Sequence, residues 1–232
     1  MDDTTPLSPD DMALYHSGTG KSLYFVKISR PDISNATREL SKFMDNETTN
    51  YFKQMQRLIK YIMQTKDKGL LIKKSSQGPL TIQGYSDSNY ANNKDTRQSV
   101  TGYVIYVNET LVAWKSKMQP GVTLSSTEAE YVALSMCLSE MLFIKQVLES
   151  IYIPINLPMT LFCDNTGAIS LCHNYATNGR TIHVDIRWHF IREHIEKKNV
   201  QVVYKNTQSN RADPMTKNVS HTIFQHHETD LI

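Results

Sequence analysis

The chain has 232 residues, 40% of them hydrophobic, and a formal net charge of +2 at pH 7. This apolar content can form a core, which argues against a disordered chain, and the small net charge gives no sign of nucleic-acid binding by bulk charge. No apolar run reaches about 18 residues, so we expect no membrane span and no membrane partner. Cys137, Cys163 and Cys172 are too few and too scattered for a disulfide framework or a zinc site, and predict buried thiols in a reducing compartment.

The first 78 residues are predicted to form a helical segment behind a short tail. Residues 1–11 are acidic and polar and lack the basic and apolar regions of a secretory signal, so we expect a mobile tail. Apolar residues recur at helical spacing within residues 12–74, most clearly over residues 49–65. Residues 75–79 are rich in turn formers and form the best linker in the chain. The sequence therefore predicts a mobile tail and a helical segment over residues 1–78.

Residues 79–232 change to a pattern of strands and helices. The predicted strands cover residues 80–87, 101–107, 111–116, 159–163 and 200–204. The predicted helices cover residues 126–151, 166–172 and 182–198. Three hairpin-linked strands followed by two helix-linked strands predict one mixed five-stranded sheet with helices on its faces, which is an α/β fold.

Four carboxylates lie where predicted elements begin or end. Asp87 ends the first strand, Glu130 lies in the first turns of the long helix, and Asp164 and Asp213 follow the last two strands. If the first and fourth strands are adjacent, Asp87 and Asp164 are neighbours at the sheet edge where α/β proteins place their sites. Clustered carboxylates repel each other, and Mg²⁺ compensates this charge with oxygen ligands. Two such ions, about 3.5–4 Å apart, can activate a water and stabilise a leaving oxygen, which is the chemistry of phosphodiester hydrolysis.

Each of these acids has an ordinary alternative role, because an Asp at a strand end is most often a turn or cap residue. The long helix offers two glutamates, and Ser125 with Glu128 fits a capping box. We therefore assign Glu128 to capping and Glu130, which faces another side of the helix, to chemistry.

Several ordered motifs resemble the ribonuclease H domain of copia-type LTR retrotransposon Pol polyproteins. The motifs are YSDS at residues 85–88, SVTGY at 99–103, AWKSKMQ at 113–119, LSSTEAEY at 124–131, CDN at 163–165, HVDIR at 183–187, HFIR at 189–192 and ADPMTK at 212–217. The resemblance runs from about Tyr15 to Lys217, and residues 15–74 resemble the tail of the reverse transcriptase that precedes this domain. The Tyr-x-Asp-Asp signature of the polymerase is absent from this chain, so we do not predict DNA synthesis.

The resemblance implies a ribonuclease H-like fold and cleavage of the RNA strand of RNA–DNA hybrids during reverse transcription. It implies two Mg²⁺ ions, with Mn²⁺ as an alternative. Asp87 would bridge both ions, Asp213 would join it at the ion that activates water, and Glu130 and Asp164 would hold the ion near the leaving 3′ oxygen. The polymerase part of the same polyprotein is the implied partner. The implied location is cytoplasmic, in retroelement particles, with the nucleus as the alternative.

Residues near the acids are weaker candidates for substrate contacts. Polar neighbours that could distinguish RNA through its 2′-hydroxyls, or could simply form turns and caps, are Ser88, Asn89, Ser125 and Asn165. Basic residues that could contact phosphates, or could be solvated surface, are Lys115, Lys117, Arg180 and Arg187. His183 could assist at the site or cap the helix that it begins, and we favour the cap.

Two other functions stay open at this point. The His-rich stretch 219–232 departs from the family pattern and leaves the last helix undecided, so the chain could be a catalytically inactive nucleic-acid-binding or assembly fragment of a degenerate polyprotein. A DNA recombinase such as an integrase has a sheet of the same class, but its three acids come in a different order. The presence of all four acids favours the nuclease.

Overall fold

The computed structural model describes residues 5–74, 78–93, 95–173 and 182–232, without the side chains of residues 182–188, 221 and 230. The chain divides into two compact units: unit 1 comprises Met1–Leu70 and Phe224–Ile232, and unit 2 comprises Leu71–Ile223. The sequence predicts domains of 1–78 and 79–232. The observed division falls after Leu70, and the last residues of the chain belong to unit 1.

The helices and strands are numbered in chain order. The helices are α1 (Pro9–Ile28), α2 (Ser34–Ser41), α3 (Thr49–Gln64), α4 (Ser126–Ser150), α5 (Thr166–His173), α6 (Ile182–Glu196), α7 (Asp213–Thr216) and α8 (His221–Leu231). The strands are β1 (Ile82–Asn89), β2 (Val100–Val107), β3 (Thr110–Met118), β4 (Met159–Cys163) and β5 (Val200–Tyr204).

Helix α1 begins earlier than the sequence predicted. Ser8 is its N-cap, with a side-chain oxygen that accepts the N–H of Asp11 at 3.2 Å, and Pro9 occupies the start of the helix. Both features are typical of the start of a helix. The acidic residues in the first turn are favourable there because they lie at the positive end of the helix dipole. The expected mobile tail is therefore wrong for residues 9–11, while residues 1–4 lie outside the described part of the chain.

Unit 1 has its own apolar core, to which the last helix is connected by polar contacts. The core side chains are Tyr15, Ile33, Leu40, Met55, Leu58 and Ile62. The hydroxyl oxygen of Tyr61, on α3, lies 2.7 Å from Glu228 Oε1 on α8, and Lys68 Nζ lies 2.7 Å from Glu228 Oε2. The Phe224 ring meets the Tyr61 ring edge-on. The stretch that the sequence left undecided is thus a helix, and these contacts join it to α3.

Unit 2 contains one five-stranded sheet in the order β3-β2-β1-β4-β5. Strand β2 pairs antiparallel with both β1 and β3, whereas β4 pairs parallel with both β1 and β5. This is the mixed, ribonuclease H-like sheet predicted from the sequence, and the bounds of β4 and β5 agree with the predicted ones. Strands β1 and β4 are central neighbours, as the proposed site requires.

The two faces of this sheet carry different helices, and a glycine on each face permits close packing. On one face, side chains of α4, α5 and α6 share a core with β1, β2, β4 and β5. A Cβ atom on Gly84 would lie 2.5 Å from Met141 Sδ of α4. On the other face, a Cβ atom on Gly102 would lie 2.6 Å from both Met215 Cβ and Thr216 Cγ2 of α7. The sheet therefore holds α4 and α7 close to β1 and β2 from opposite sides.

Helix α4 is the one helix in the described ranges that is long and apolar enough to cross a membrane by length and composition. Its Leu134, Leu138 and Met141 are fully buried in the core of unit 2, which makes it weak evidence for a span. The cysteines are free and buried, as predicted.

Candidate active site

The carboxyl ends of β1 and β4 bring two of the predicted acids together. In the parallel ladder, Tyr85 pairs with Phe162, and the same register continued by two residues places Asp87 level with Asp164. Asp87 is only 2% exposed, and its strand partner on β2 is Gly102, beneath α7. The predicted adjacency of the first and fourth strands is therefore observed.

Helix α4 adds Glu130 from the other face of the sheet. Ser125 is the N-cap and accepts the N–H of Glu128 at 3.1 Å, while Glu128 Oε2 accepts the N–H of Leu124 at 2.7 Å. Glu128 is thus used in capping, as predicted, and Glu130 is free to point elsewhere. Glu130 Oε1 accepts two hydrogen bonds from Ser88 at the end of β1, from the N–H at 3.0 Å and from the hydroxyl at 2.8 Å.

The fourth acid, Asp213, begins the short helix α7. Asn210 fixes the preceding loop to β1, because its Nδ2 donates to Ser86 O at 2.9 Å and its Oδ1 accepts the N–H of Ala212 at 3.2 Å. Ser116 on β3 donates to Met215 O at 2.5 Å, and the Thr216 hydroxyl donates to Asp87 Oδ2. These contacts hold buried Asp213 beside Asp87.

The charges of the four acids act on each other. Burial above all, together with the negative charges of Asp213 and Asp164, raises the pKa of Asp87 to about 7 against the opposing effects of Lys217 and Thr216. Burial also raises the pKa of Glu130 well above its ordinary value, with added repulsion from Asp87 and Asp164. All four predicted carboxylates therefore lie within interacting distance at one end of β1.

A lysine that the sequence analysis did not single out lies in this cluster. Lys217 Nζ is 2.5 Å from Asp213 Oδ1, four residues earlier in the chain. Burial acts to lower the pKa of Lys217, but Asp87 and Asp213 outweigh that effect and raise it. Lys217, Thr216 and Asn210 were the functional neighbours that sequence reasoning missed, although the i, i+4 spacing of Asp213 and Lys217 was a readable signal.

The donor set fits a hard divalent cation. One carboxylate oxygen each of Glu130 and Asp164 and the Cys163 sulfur lie within 4.8 Å of one another. Glu130 Oε2 is buried and has no hydrogen-bond partner among the residues that the structure describes. A buried carboxylate oxygen without a partner is costly unless a cation is bound, and Mg²⁺ and Mn²⁺ both accept carboxylate oxygens. The residues therefore fit the metal that the sequence predicted.

The weaker candidates have structural roles in the described part of the chain. Ser88 holds Glu130, Ser125 caps α4, and Asn165 Oδ1 accepts the N–H of Ala168 at 2.9 Å in the first turn of α5. Asn89 Nδ2 donates to Thr216 O at 3.4 Å.

The basic candidates are less well placed. Lys115 and Lys117 are exposed on the edge strand β3, and no contact described for the four carboxylates involves them. Arg180 lies outside the described residues. His183 and Arg187 lie on α6, but their side chains are outside the described part, so the choice between assistance and capping for His183 stays a prediction.

Comparison with known proteins gives the chain a family. No protein-family model matches it. The retrovirus-related Pol polyprotein from transposon RE1 of Arabidopsis thaliana is 36% identical over 233 residues, covering 96% of this chain and 16% of that polyprotein. The corresponding polyprotein from transposon RE2 of the same plant is 33% identical over 232 residues, covering 95% of this chain and 16% of its own length.

Among solved structures, the crystal structure of LC11-RNase H1 in complex with RNA/DNA hybrid aligns with a TM-score of 0.45 and 16% identity, over 59% of this chain and 94% of that one. The sequence relatives extend over almost the whole chain, while the chain spans only 16% of their length. The chain therefore belongs to the retrovirus-related Pol polyproteins of transposons and corresponds to one segment of them.

Proposed function

We propose that unit 2 is a metal-dependent ribonuclease H that cuts the RNA strand of RNA–DNA hybrids within a retroelement. The observation that carries this proposal is the convergence of Asp87, Glu130, Asp164 and Asp213 at one end of β1. Membership of the Pol polyprotein family supports it, because reverse transcription produces RNA–DNA hybrids whose RNA strand must be removed. The polymerase part of such a polyprotein is the proposed partner.

The carboxylates would hold two divalent cations in two pairs. Asp87 and Asp213 would hold one cation, Glu130 and Asp164 the other, and Asp87 would contact both. When bound, Mg²⁺ or Mn²⁺ ions supply charge stabilisation for the attacking water and for the leaving 3′ oxygen. Each pair includes one acid from a different face of the sheet, since Asp213 comes from α7 and Glu130 from α4.

The surrounding residues orient these carboxylates before substrate arrives. Ser88 fixes one oxygen of Glu130 and leaves the other available, while Thr207 Oγ1 donates to Asp164 Oδ2 at 2.6 Å. Thr216 restrains Asp87 in the same way. Hydrogen bonds of this kind fix the orientation of metal ligands and maintain metal affinity.

Substrate recognition is assigned to the polar residues beside the acids. Asn89 has amide hydrogen-bonding capacity left beyond its contact with Thr216, so it is the best placed of the four polar candidates to meet a 2′-hydroxyl. Lys115 and Lys117 remain proposed phosphate contacts at a distance from the cleaved bond.

The proposal is tested with the full chain on matched substrates: an RNA–DNA hybrid, duplex DNA and single-stranded RNA, each with Mg²⁺ or EDTA. We expect Mg²⁺-dependent cleavage of the RNA strand of the hybrid, a loss of at least about 100-fold in Asp87→Asn, and no change in the control Asp67→Asn, whose side chain is exposed in unit 1. Hybrid binding without cleavage would instead support the inactive fragment, and cleavage of duplex DNA would support the recombinase.

A further inference from the structure

The ion pair of Lys217 with the carboxylate cluster differs from an ordinary surface ion pair, because its carboxylate is buried. Its ammonium is 2.5 Å from Asp213 Oδ1, and the Asp213 side chain is only 6% exposed. A pair of the same length and spacing joins Glu193 on α6 to Lys197 just after the end of that helix, and both side chains are more than half exposed. Exposed ion pairs of that kind contribute little to stability. The charges of a pair with a buried carboxylate interact more strongly, because the medium between them is less polar.

The ammonium of Lys217 acts on more than one acid. Its charge interacts with Asp87 and Asp164 as well as with Asp213. Asp87 and Asp213 are both almost completely buried, so water does little to screen their repulsion. A single cation therefore offsets the mutual repulsion of three of the four carboxylates in the metal-free protein.

A divalent cation bound at Asp213 would compete with this ammonium. Lys217 is at hydrogen-bonding distance from Asp213 Oδ1, so a cation that takes this oxygen has to displace the ammonium. Two positive charges a few ångströms apart also repel strongly in a partly buried site. This repulsion favours movement of the Lys217 side chain away from a bound metal, and the side chain is 38% exposed, so it has solvent to move into.

We propose that Lys217 is a resident counter-ion of the carboxylate cluster, which a divalent cation displaces from Asp213 when it binds. This inference rests on the proposed function only in naming the same carboxylates as cation ligands. It adds a competition: Lys217 stabilises the metal-free site and weakens its affinity for the metal. Neither effect requires substrate.

The test measures binding of Mn²⁺ alone to the full chain by titration calorimetry and by loss of the free-ion electron paramagnetic resonance signal. Lys217→Met should bind Mn²⁺ about tenfold more tightly than the wild type and should melt at a lower temperature in EDTA, because the repulsion is no longer offset. Lys217→Arg should resemble the wild type, and Lys197→Met is the control for loss of a surface ion pair of equal length. Unchanged or weaker binding in Lys217→Met, or equal tightening in Lys197→Met, overturns the proposal.

A second measurement uses the wild-type chain and does not depend on how the variants fold. Lysines are acetylated briefly with acetic anhydride, with and without Mn²⁺, and quantified by mass spectrometry. Mn²⁺ should increase acetylation of Lys217 relative to Lys197, and an unchanged ratio overturns the displacement. Both readouts are independent of cleavage. They therefore test the displacement of Lys217 even in a chain that does not cut the hybrid.

Discussion

At the scale of single residues, Asp87 is the least exposed of the four acids at the site. It is 2% exposed, it lies level with Asp164, and burial raises its pKa to about 7. A raised pKa means that the folded protein binds this proton more tightly than the unfolded chain, where an aspartate titrates near about 4. Its contribution to stability is therefore fully present below about pH 4 and is lost as the pH rises through about 7.

Replacement of Asp87 by Asn should accordingly stabilise the metal-free protein at high pH. Since one pKa unit corresponds to about 1.4 kcal/mol, the gain at pH 8 is on the order of a few kcal/mol, with a much smaller gain at pH 5. Thermal unfolding in EDTA at both pH values measures it. An equal difference between variant and wild type at pH 5 and pH 8 would contradict the prediction, and Asp67→Asn should show no difference at either pH.

The four acids could be identified from the sequence, but the residues that hold them in position could not. Asp87, Glu130, Asp164 and Asp213 were recognisable because each lies at the start or end of an element and matches a motif. The choice of Glu130 over Glu128 followed from the capping pattern of Ser125, which the structure contains. Asn210 and Thr216 contact residues more than 120 positions away in the chain, and no local pattern encodes such contacts.

At the scale of elements, the packing of α7 depends on the missing side chain at Gly102. A methyl group there would lie 2.6 Å from two atoms of α7 and 3.2 Å from the backbone oxygen of Ala212, so the helix would have to move away from β2. Because Asp213 begins α7, any such movement shifts one acid relative to the other three.

Gly102→Ala should therefore weaken the site as well as the fold. We expect a loss of about 1–3 kcal/mol in the free energy of unfolding of unit 2, as for other overpacked sites, together with weaker Mn²⁺ binding. Denaturant unfolding and calorimetry measure the two effects. Gly121→Ala is the matched control, since a Cβ atom there meets nothing within 4 Å. Wild-type Mn²⁺ affinity in Gly102→Ala would show that α7 tolerates the added methyl group.

Elements were predictable where periodicity was strong and flanking residues were clear. Strands β4 and β5 are short apolar runs between turn formers, and their bounds were predicted correctly. The start of α1 was missed because its acidic first turn was interpreted as a solvated tail. Ser8 followed by Pro9 was the available signal, since these residues suit the first positions of a helix.

At the scale of the whole molecule, unit 1 is discontinuous in sequence. Phe224–Ile232 belongs to it together with Met1–Leu70, and Glu228 on α8 contacts both Tyr61 and Lys68. The linker signal at residues 75–79 gave an approximate boundary, but the return of the chain to unit 1 could not be predicted, because residues 219–232 match no family motif and carry weak helical periodicity.

Deletion of residues 224–232 should destabilise unit 1 selectively. The deletion removes Glu228, which contacts Tyr61 and Lys68, and the buried side chain of Leu231. Hydrogen–deuterium exchange should therefore become faster in peptides of α3 and remain close to wild type in β1 and β4. Gln225→Ala, an exposed position on α8, is the control and should leave exchange unchanged. Unaltered protection of α3 in the deleted chain would show that α8 adds nothing to unit 1.

Because unit 1 is discontinuous in sequence, the order of synthesis also sets the order in which the two units can be completed. Residues 1–70 are synthesised before Leu71–Ile223, but the segment that completes their unit emerges only after all of Leu71–Ile223 has been synthesised. Unit 2 is contiguous and can form its sheet as soon as β5 and α7 are clear of the exit tunnel, in keeping with the tendency of domains to fold as units during synthesis. The nascent chain can thus complete unit 2, which carries the four acids, before unit 1.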